Sequence, residues 1–225
     1  MFIFQSKDRR LNMARITKKP TERRSDIVNA ARYLFQSKEY DKTTMQDVMD
    51  YLGIAKGTIY HYFESKEALF GAVIENIVDT NIEHMQTLIQ DTKGTALEKI
   101  QILIAAGDIS AENEDILDKL HRPSNYAMHA RLFAATLVKQ APLYEKLIQQ
   151  GCNEGIFQTN NPLECAEFVL AGVQFLTDMG IYPWSQEDLN RRAQAFPQLI
   201  EQLLKAPPGS FHFMIKHMKL DGVKK

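Results

Sequence analysis

An all-α fold is predicted for this chain from three observations. Apolar residues recur at three- and four-residue steps through segment after segment of its 225 residues. No stretch alternates with period two between hairpin signals. Two short apolar-faced segments meet across a single glycine near residue 53, the layout of a helix-turn-helix. The architecture expected is an N-terminal three-helix head joined by a long helix to a C-terminal helical body.

Residues 1–20 carry scattered basic side chains without a sustained period and close on Pro20, so a disordered basic arm is expected there. Met13 offers a second translation start inside that arm. From Thr21 the periodicity becomes helical: Ile27, Ala30, Ala31, Leu34 and Phe35 form one stripe, predicting a first helix over 21–37. "KEYDKTT" interrupts it. Thr44 followed by Asp47 has the form of a helix start, Met45, Val48, Met49 and Leu52 supply a second apolar face, and Gly53 ends it. A third segment follows within a few residues, with Ile59 and Phe63 on one face. The head is therefore expected to occupy 21–67.

Ser65 can cap a fourth helix whose apolar positions run from Leu69 to Ile89 without a breaker. At about 25 residues it would be roughly 37 Å long, enough to join a small head to a separate body over 68–225. In that body "TALEKIQILIAAGDI", "EDILDKLH", "NYAMHARLFAATLVKQ" and "PLYEKLIQQGCNEG" each read as helices, separated by Gly94, Pro123, Pro142 and the "NEGIFQTNNP" break. Two more are expected at 162–180, with Pro162 in its first turn, and at 186–205, with Pro197 as a kink.

Composition narrows the function classes. The net charge of −1 hides an asymmetry: residues 1–70 hold 13 Lys and Arg against 9 Asp and Glu, and the first 24 alone hold 8 against 2. A basic end on an otherwise acidic chain suits an anionic polymer, although a merely solvated tail would look the same by charge alone. No apolar run approaches the ~20 residues that span a bilayer, so no membrane role and a cytoplasmic location are expected. Cys152 and Cys165 are too sparse for a disulfide framework and are expected to be reduced. No hydrolase elbow, phosphate-binding loop, dinucleotide fingerprint, zinc-protease motif or kinase signature is present, so the chain is not expected to be an enzyme and no cofactor is implied.

The third segment carries the chemistry. With Ile59 and Phe63 turned inward, Lys56, Gly57, Thr58, Tyr60 and His61 populate the other faces of a helix under two turns long. A helix that enters the major groove needs this inventory: a glycine for close approach, then hydroxyl, imidazole and ammonium donors for phosphates and base edges. Thr44 and Lys66 sit at the starts of the flanking helices, where free N–H groups and a positive dipole end can hold phosphate. Helix-turn-helix shapes also occur in proteins that never touch DNA, and aromatic clusters often belong to cores.

The run "TTMQDVMDYLGIAKGTIYHYFESKEALF", residues 43–70, resembles the N-terminal DNA-binding domain of the TetR family of transcriptional regulators. Thr44, Asp47-Val48, Gly53-Ile54, Lys56-Gly57-Thr58-Ile59-Tyr60, Phe63 and Ser65-Lys66-Glu67 all match that pattern at its fixed offsets. Met49 and Leu52 are bulkier than the alanines the family often uses, and Ala55 stands where a serine or threonine cap is common. The resemblance implies a C-terminal body that binds a small molecule and a homodimer built through the last two long helices. Their apolar faces fit a four-helix bundle between two copies, and Phe168, Val169, Gly172, Phe175, Leu199 and Leu203 are the expected dimer contacts.

Such a dimer would present two recognition helices to successive major grooves of a pseudo-palindromic operator, about 34 Å apart. A small, largely apolar effector would release it. A ligand-independent architectural or partner-recruiting protein of the same fold is the alternative. Within "HRPSNYAMHARLF", Asn125 and His129 share a helix face close to Met128, with His121 just upstream. These four are candidate effector contacts, though buried or solvated structural roles suit them equally. Two histidines eight residues apart with no acidic partner in view do not make a ligand set, so no metal is expected.

Overall fold

Pro20 opens the first helix of the computed structural model, in which residues 19–106, 116, 119–122 and 125–217 are described; residues 1–18 of the arm expected over 1–20 lie outside them, while Lys19 and Pro20 belong to the helix start instead. Helix α1 spans Pro20–Lys38 and buries the predicted stripe of Ile27, Val28, Ala30, Ala31, Leu34 and Phe35. Its proline sits where the missing N–H costs nothing. The loop after it is anchored by Thr43, which is wholly buried and donates its hydroxyl to the carbonyls of Leu34 (3.2 Å) and Glu39 (2.8 Å).

Helix α2, Met45–Leu52, begins on a reciprocal cap: Thr44 Oγ1 accepts from Asp47 N–H, and the Asp47 carboxylate accepts from Thr44 N–H at 2.8 Å. It ends at Gly53, in the left-handed region at φ 62°, where a side chain would be strained. The Gly53 N–H donates to Asp50 O and the Ile54 N–H to Met49 O, closing the turn into α3, Lys56–Tyr62. α3 is held by fully buried Ile59 and by Phe63. Helix α4, Lys66–Asp91, is capped by Ser65, whose Oγ accepts from Ala68 N–H at 3.1 Å. Its 26 residues make it about 39 Å long.

Helix α5 is Ala96–Ala106, α6 Tyr126–Asn153, α7 Pro162–Thr177, α8 Gln186–Leu204 and α9 the single turn Met214–His217. Every regular element among the described residues is a helix, as predicted. Residues 116, 119 and 120 of "EDILDKLH" are helical; the rest of that expected helix lies outside the described residues apart from His121, which is in a turn.

Two boundaries differ from expectation. The segments on either side of Pro142 form one helix rather than two. Proline removes one hydrogen bond to the residue four back, here Val138, and both Pro142 and Val138 are exposed, so water can serve the orphaned carbonyl while Ala141, Leu143 and Leu147 hold the inner face. The helix expected over 162–180 stops at Thr177, because Asp178 turns its carboxylate back on the N–H groups of Gly180 (2.7 Å) and Ile181 (3.0 Å) and closes a separate turn.

Two apolar cores result, and α4 serves both. Leu69 to Ile77 pack with α1, α2 and α3 and also with Ile116 and Leu120; Val78, Ile82 and Met85 pack with α5, α6, α7 and α8. No described helix is long and apolar enough to cross a membrane.

Candidate nucleic-acid interface and body site

On α3, Ile59 and Phe63 point into the head core, which leaves Lys56, Gly57, Tyr60 and His61 exposed and Thr58 partly so. The sequence-predicted split between anchoring and outward residues is therefore the one the fold adopts. Ala55, in extended conformation at the N-cap, provides no side-chain cap. Thr44, Lys56, Tyr60 and Lys66 converge on one open concavity of about 430 Å³, floored by Met45 and Met49. Gly57 has open space around it, so backbone can be approached there.

The members of this group are not equivalent. Thr44 donates its hydroxyl to Asp47 (2.6 Å), so it is already engaged as a cap, and Asp47 is also held by Lys38 at 2.7 Å. Lys38 and Thr44 together keep the Asp47 carboxyl well below the usual carboxylate range. Lys66 places its ammonium 4.1 Å from the centre of the Tyr40 ring, and burial pulls its pKa down. Lys56 lies more loosely over Tyr60, at 5.7 Å.

Tyr40 and Asp41, in the loop between α1 and α2, form a feature that sequence reasoning missed. Lys119 and Arg122 both pair with the Asp41 carboxylate, Arg122 at 2.5 Å, and Lys119 also stands 4.8 Å over Tyr40. Hydrogen bonds from Lys119 and then Arg122 hold the Asp41 carboxyl below its ordinary value. Burial, with Glu67 and Asp41 nearby, pushes the Tyr40 phenol up to about 12. The segment 119–122 thus grips the head from the body side. "DKLHR" is a visible basic run, but nothing in the sequence names its acceptor.

In the body the four effector candidates separate. His121 and His129 come together, with ring centres 5.0 Å apart. Asn125 instead donates its side-chain amide to the Lys119 carbonyl at 2.8 Å, and Met128 packs against the head core. The expectation that the histidines lack an acidic partner is overturned: Asp178, brought in from the end of α7, contacts His129 Nε2 at 3.0 Å and His121 Nε2 at 3.8 Å. Burial alone would raise the Asp178 carboxyl, but the His129 hydrogen bond, the two imidazoles and the Gly180 N–H outweigh it and hold it low. The sequence signal was faint, an Asp at a helix end two residues before a glycine.

On α7 and α8, Phe168, Phe175, Leu199 and Leu203 are exposed, Phe168 by 73%. Gly172 meets nothing within 4 Å of where a side chain would start, and Val169 lies partly against the body core. Cys152 and Cys165 are free thiols.

Family models match in two places: bacterial regulatory proteins of the tetR family over residues 27–73, and the tetracyclin repressor-like C-terminal domain over 108–199. The chain is similar to the HTH-type transcriptional repressor KstR2 of Mycolicibacterium smegmatis, 28% identical over 145 residues that cover 62% of this chain and 69% of that protein. It is also similar to the HTH-type transcriptional regulator YfiR of Bacillus subtilis, 26% identical over 161 residues, covering 66% and 75%. Among solved structures, a TetR-family regulator from Pectobacterium atrosepticum superposes with a TM-score of 0.60 at 20% identity, covering 84% of this chain and 97% of the other. A transcriptional regulator from Cytophaga hutchinsonii gives 0.58 at 23%, covering 84% and 95%. At such identities the structures speak for the fold alone.

Proposed function

Because the chain belongs to the TetR family of DNA-binding transcriptional regulators, we propose that it is a homodimeric repressor that leaves a pseudo-palindromic operator when a small, largely apolar molecule enters its helical body. The observation that carries this reading is the two-sided α3, anchored by Ile59 and Phe63 while Lys56, Gly57, Tyr60 and His61 stay free to meet a groove. Thr58 lies at the edge of that surface. Thr44 and Lys66 extend it across the concavity toward the phosphates on either side.

Dimerisation through α7 and α8 is supported by their uncovered apolar residues, which a second copy would bury as a four-helix bundle. Two copies then place two α3 helices on one face of the duplex, matching a site with two-fold symmetry. The repressor sign is supported by relatives that are themselves transcriptional repressors by name. Effector control requires that the ligand bind the released state better than the DNA-bound state. The chain would work where its DNA is, in the cytoplasm.

The test starts from the purified protein and a DNA site selected from a random pool, followed by affinity measurements across a panel of apolar small molecules. One dimer per palindrome, released by at least one compound, is the expected result. Unchanged affinity across the panel would overturn effector control, and selection of no common sequence would overturn the regulator reading itself.

A further inference from the structure

We propose that His121, His129 and Asp178 form a binding site for a divalent first-row transition cation of the zinc class, and that the ion locks the segment gripping the head. Their ligand atoms lie within 4.8 Å of one another. Tetrahedral ligands held at ~2.1 Å from zinc stand roughly 3.4 Å apart; His129 Nε2 lies 3.0 Å from Asp178 Oδ2 and His121 Nε2 3.8 Å from Oδ1, so each imidazole faces a carboxylate oxygen at close to that spacing. Two imidazoles and one carboxylate are the donor set that suits such ions, and three protein ligands leave a coordination position open.

Three further observations argue against an ordinary buried polar cluster. The His129 side chain is 5% exposed; its Nε2 faces Asp178 but its Nδ1 is buried without a hydrogen-bond partner, so only one of its two ring nitrogens is served by the protein. The Asp178 carboxylate is aimed by the backbone N–H groups of Gly180 and Ile181, the kind of outer support that orients a metal ligand. The backbone at Gly180 also passes so close to both rings that an added Cβ would stand 2.3 Å from His121 and 2.9 Å from His129. Any side chain at 180 would therefore displace the two imidazoles. His121 is 33% exposed and provides the side from which an ion enters.

The site's position gives it a consequence. His121 lies between Lys119 and Arg122, the two cations that hold Asp41 of the head. An ion tying His121 to α6 and to the end of α7 would fix that segment, and with it the hold on Asp41. This part rests on the proposed repressor reading; the metal site itself does not.

Zinc binding to the full-length, chelator-treated protein is measured by calorimetry without DNA, for wild type, His121→Ala and Asp178→Asn. One zinc per chain is expected for wild type, with a rise in melting temperature on loading. Each variant should weaken that binding by more than the roughly 10–100-fold that loss of an outer-shell partner costs. His121 is partly exposed, so His121→Ala should keep the wild-type melting temperature without zinc and lose only the zinc-dependent rise. Equal stoichiometry and affinity in wild type and His121→Ala would overturn the site. In a separate arm, zinc should change affinity for the selected DNA site in wild type and leave His121→Ala unaffected. Binding at full stoichiometry with no change in DNA affinity would overturn the coupling, whereas failure to bind DNA with or without zinc would sink the regulator reading and leave the site standing.

Discussion

Ala55→Ser should stabilise the recognition helix. Ala55 already has the extended backbone of an N-cap, φ −73° and ψ 153°, and its carbonyl already accepts from Thr58 N–H at 2.9 Å, so the new hydroxyl can reach the first-turn N–H groups without moving the chain. Replacing a serine cap by alanine typically costs ~1 kcal/mol, and the reverse change should gain a similar amount. In a helix of seven residues that relies on Ile59 and Phe63 for its packing, this is a large share of local stability. A gain of ~1 kcal/mol corresponds to roughly fivefold fewer openings. Amide hydrogen exchange followed by mass spectrometry resolves α3 from the rest of the chain, and the peptide covering 56–62 should exchange about fivefold more slowly in the variant. Equal or faster exchange would show that those amides are already satisfied in the parent, and the reasoning about Ala55 would be wrong.

Three other outcomes are expected. Lys56→Ala should weaken specific and random DNA about equally and lower the salt dependence of log K by about one, measured by fluorescence anisotropy from low to high salt; a loss confined to the specific site would mean that Lys56 reads bases. Phe168→Glu should convert the proposed dimer to monomer in sedimentation velocity while leaving the helical spectrum intact, because it puts a charge where a second copy would be packed. Asp47→Asn should destabilise the head at neutral pH, with a pH dependence whose sign is fixed. Asp47 is depressed in the folded state, so its contribution is fully present above the ordinary carboxylate pKa of about 3.9 and is lost only as pH falls through the depressed value. The gap between variant and parent in urea melts should narrow on acidification, and a gap that widens would contradict the Lys38 and Thr44 assignment.

Local signals carried most of the head. The capping pair Thr44 and Asp47, the glycine at 53 and the four-residue step from Ile59 to Phe63 each act within one or two turns, so spacing alone places them. The exposed set on α3 followed from what the anchors exclude. Asp41 and Asp178 were not legible, because each acts on a partner far along the chain: Asp41 on Lys119 and Arg122, Asp178 on His129 and His121. Pro142 was read as a break because proline penalties are local, whereas the continuity of α6 comes from body packing on its other face. Met128 shares a helix with His129 and Asn125 stands at its N-cap, but helical spacing could not reveal that their neighbours, the head core and the Lys119 carbonyl, lie elsewhere.

The Asp41 junction changes how the head is supported. With α4 alone, a three-helix unit on the end of a single rod could twist about the rod's axis. A second strut, from segment 119–122 to the loop before α2, gives the head a point of attachment besides α4. A unit held at two points resists torsion better than one held at one, and here the second point combines a carboxylate shared by two cations with the packing of Ile116 and Leu120 into the head core. The ionic part of its stiffness should therefore depend on ionic strength. Salt would loosen the aim of the recognition helix as well as compete for the phosphates.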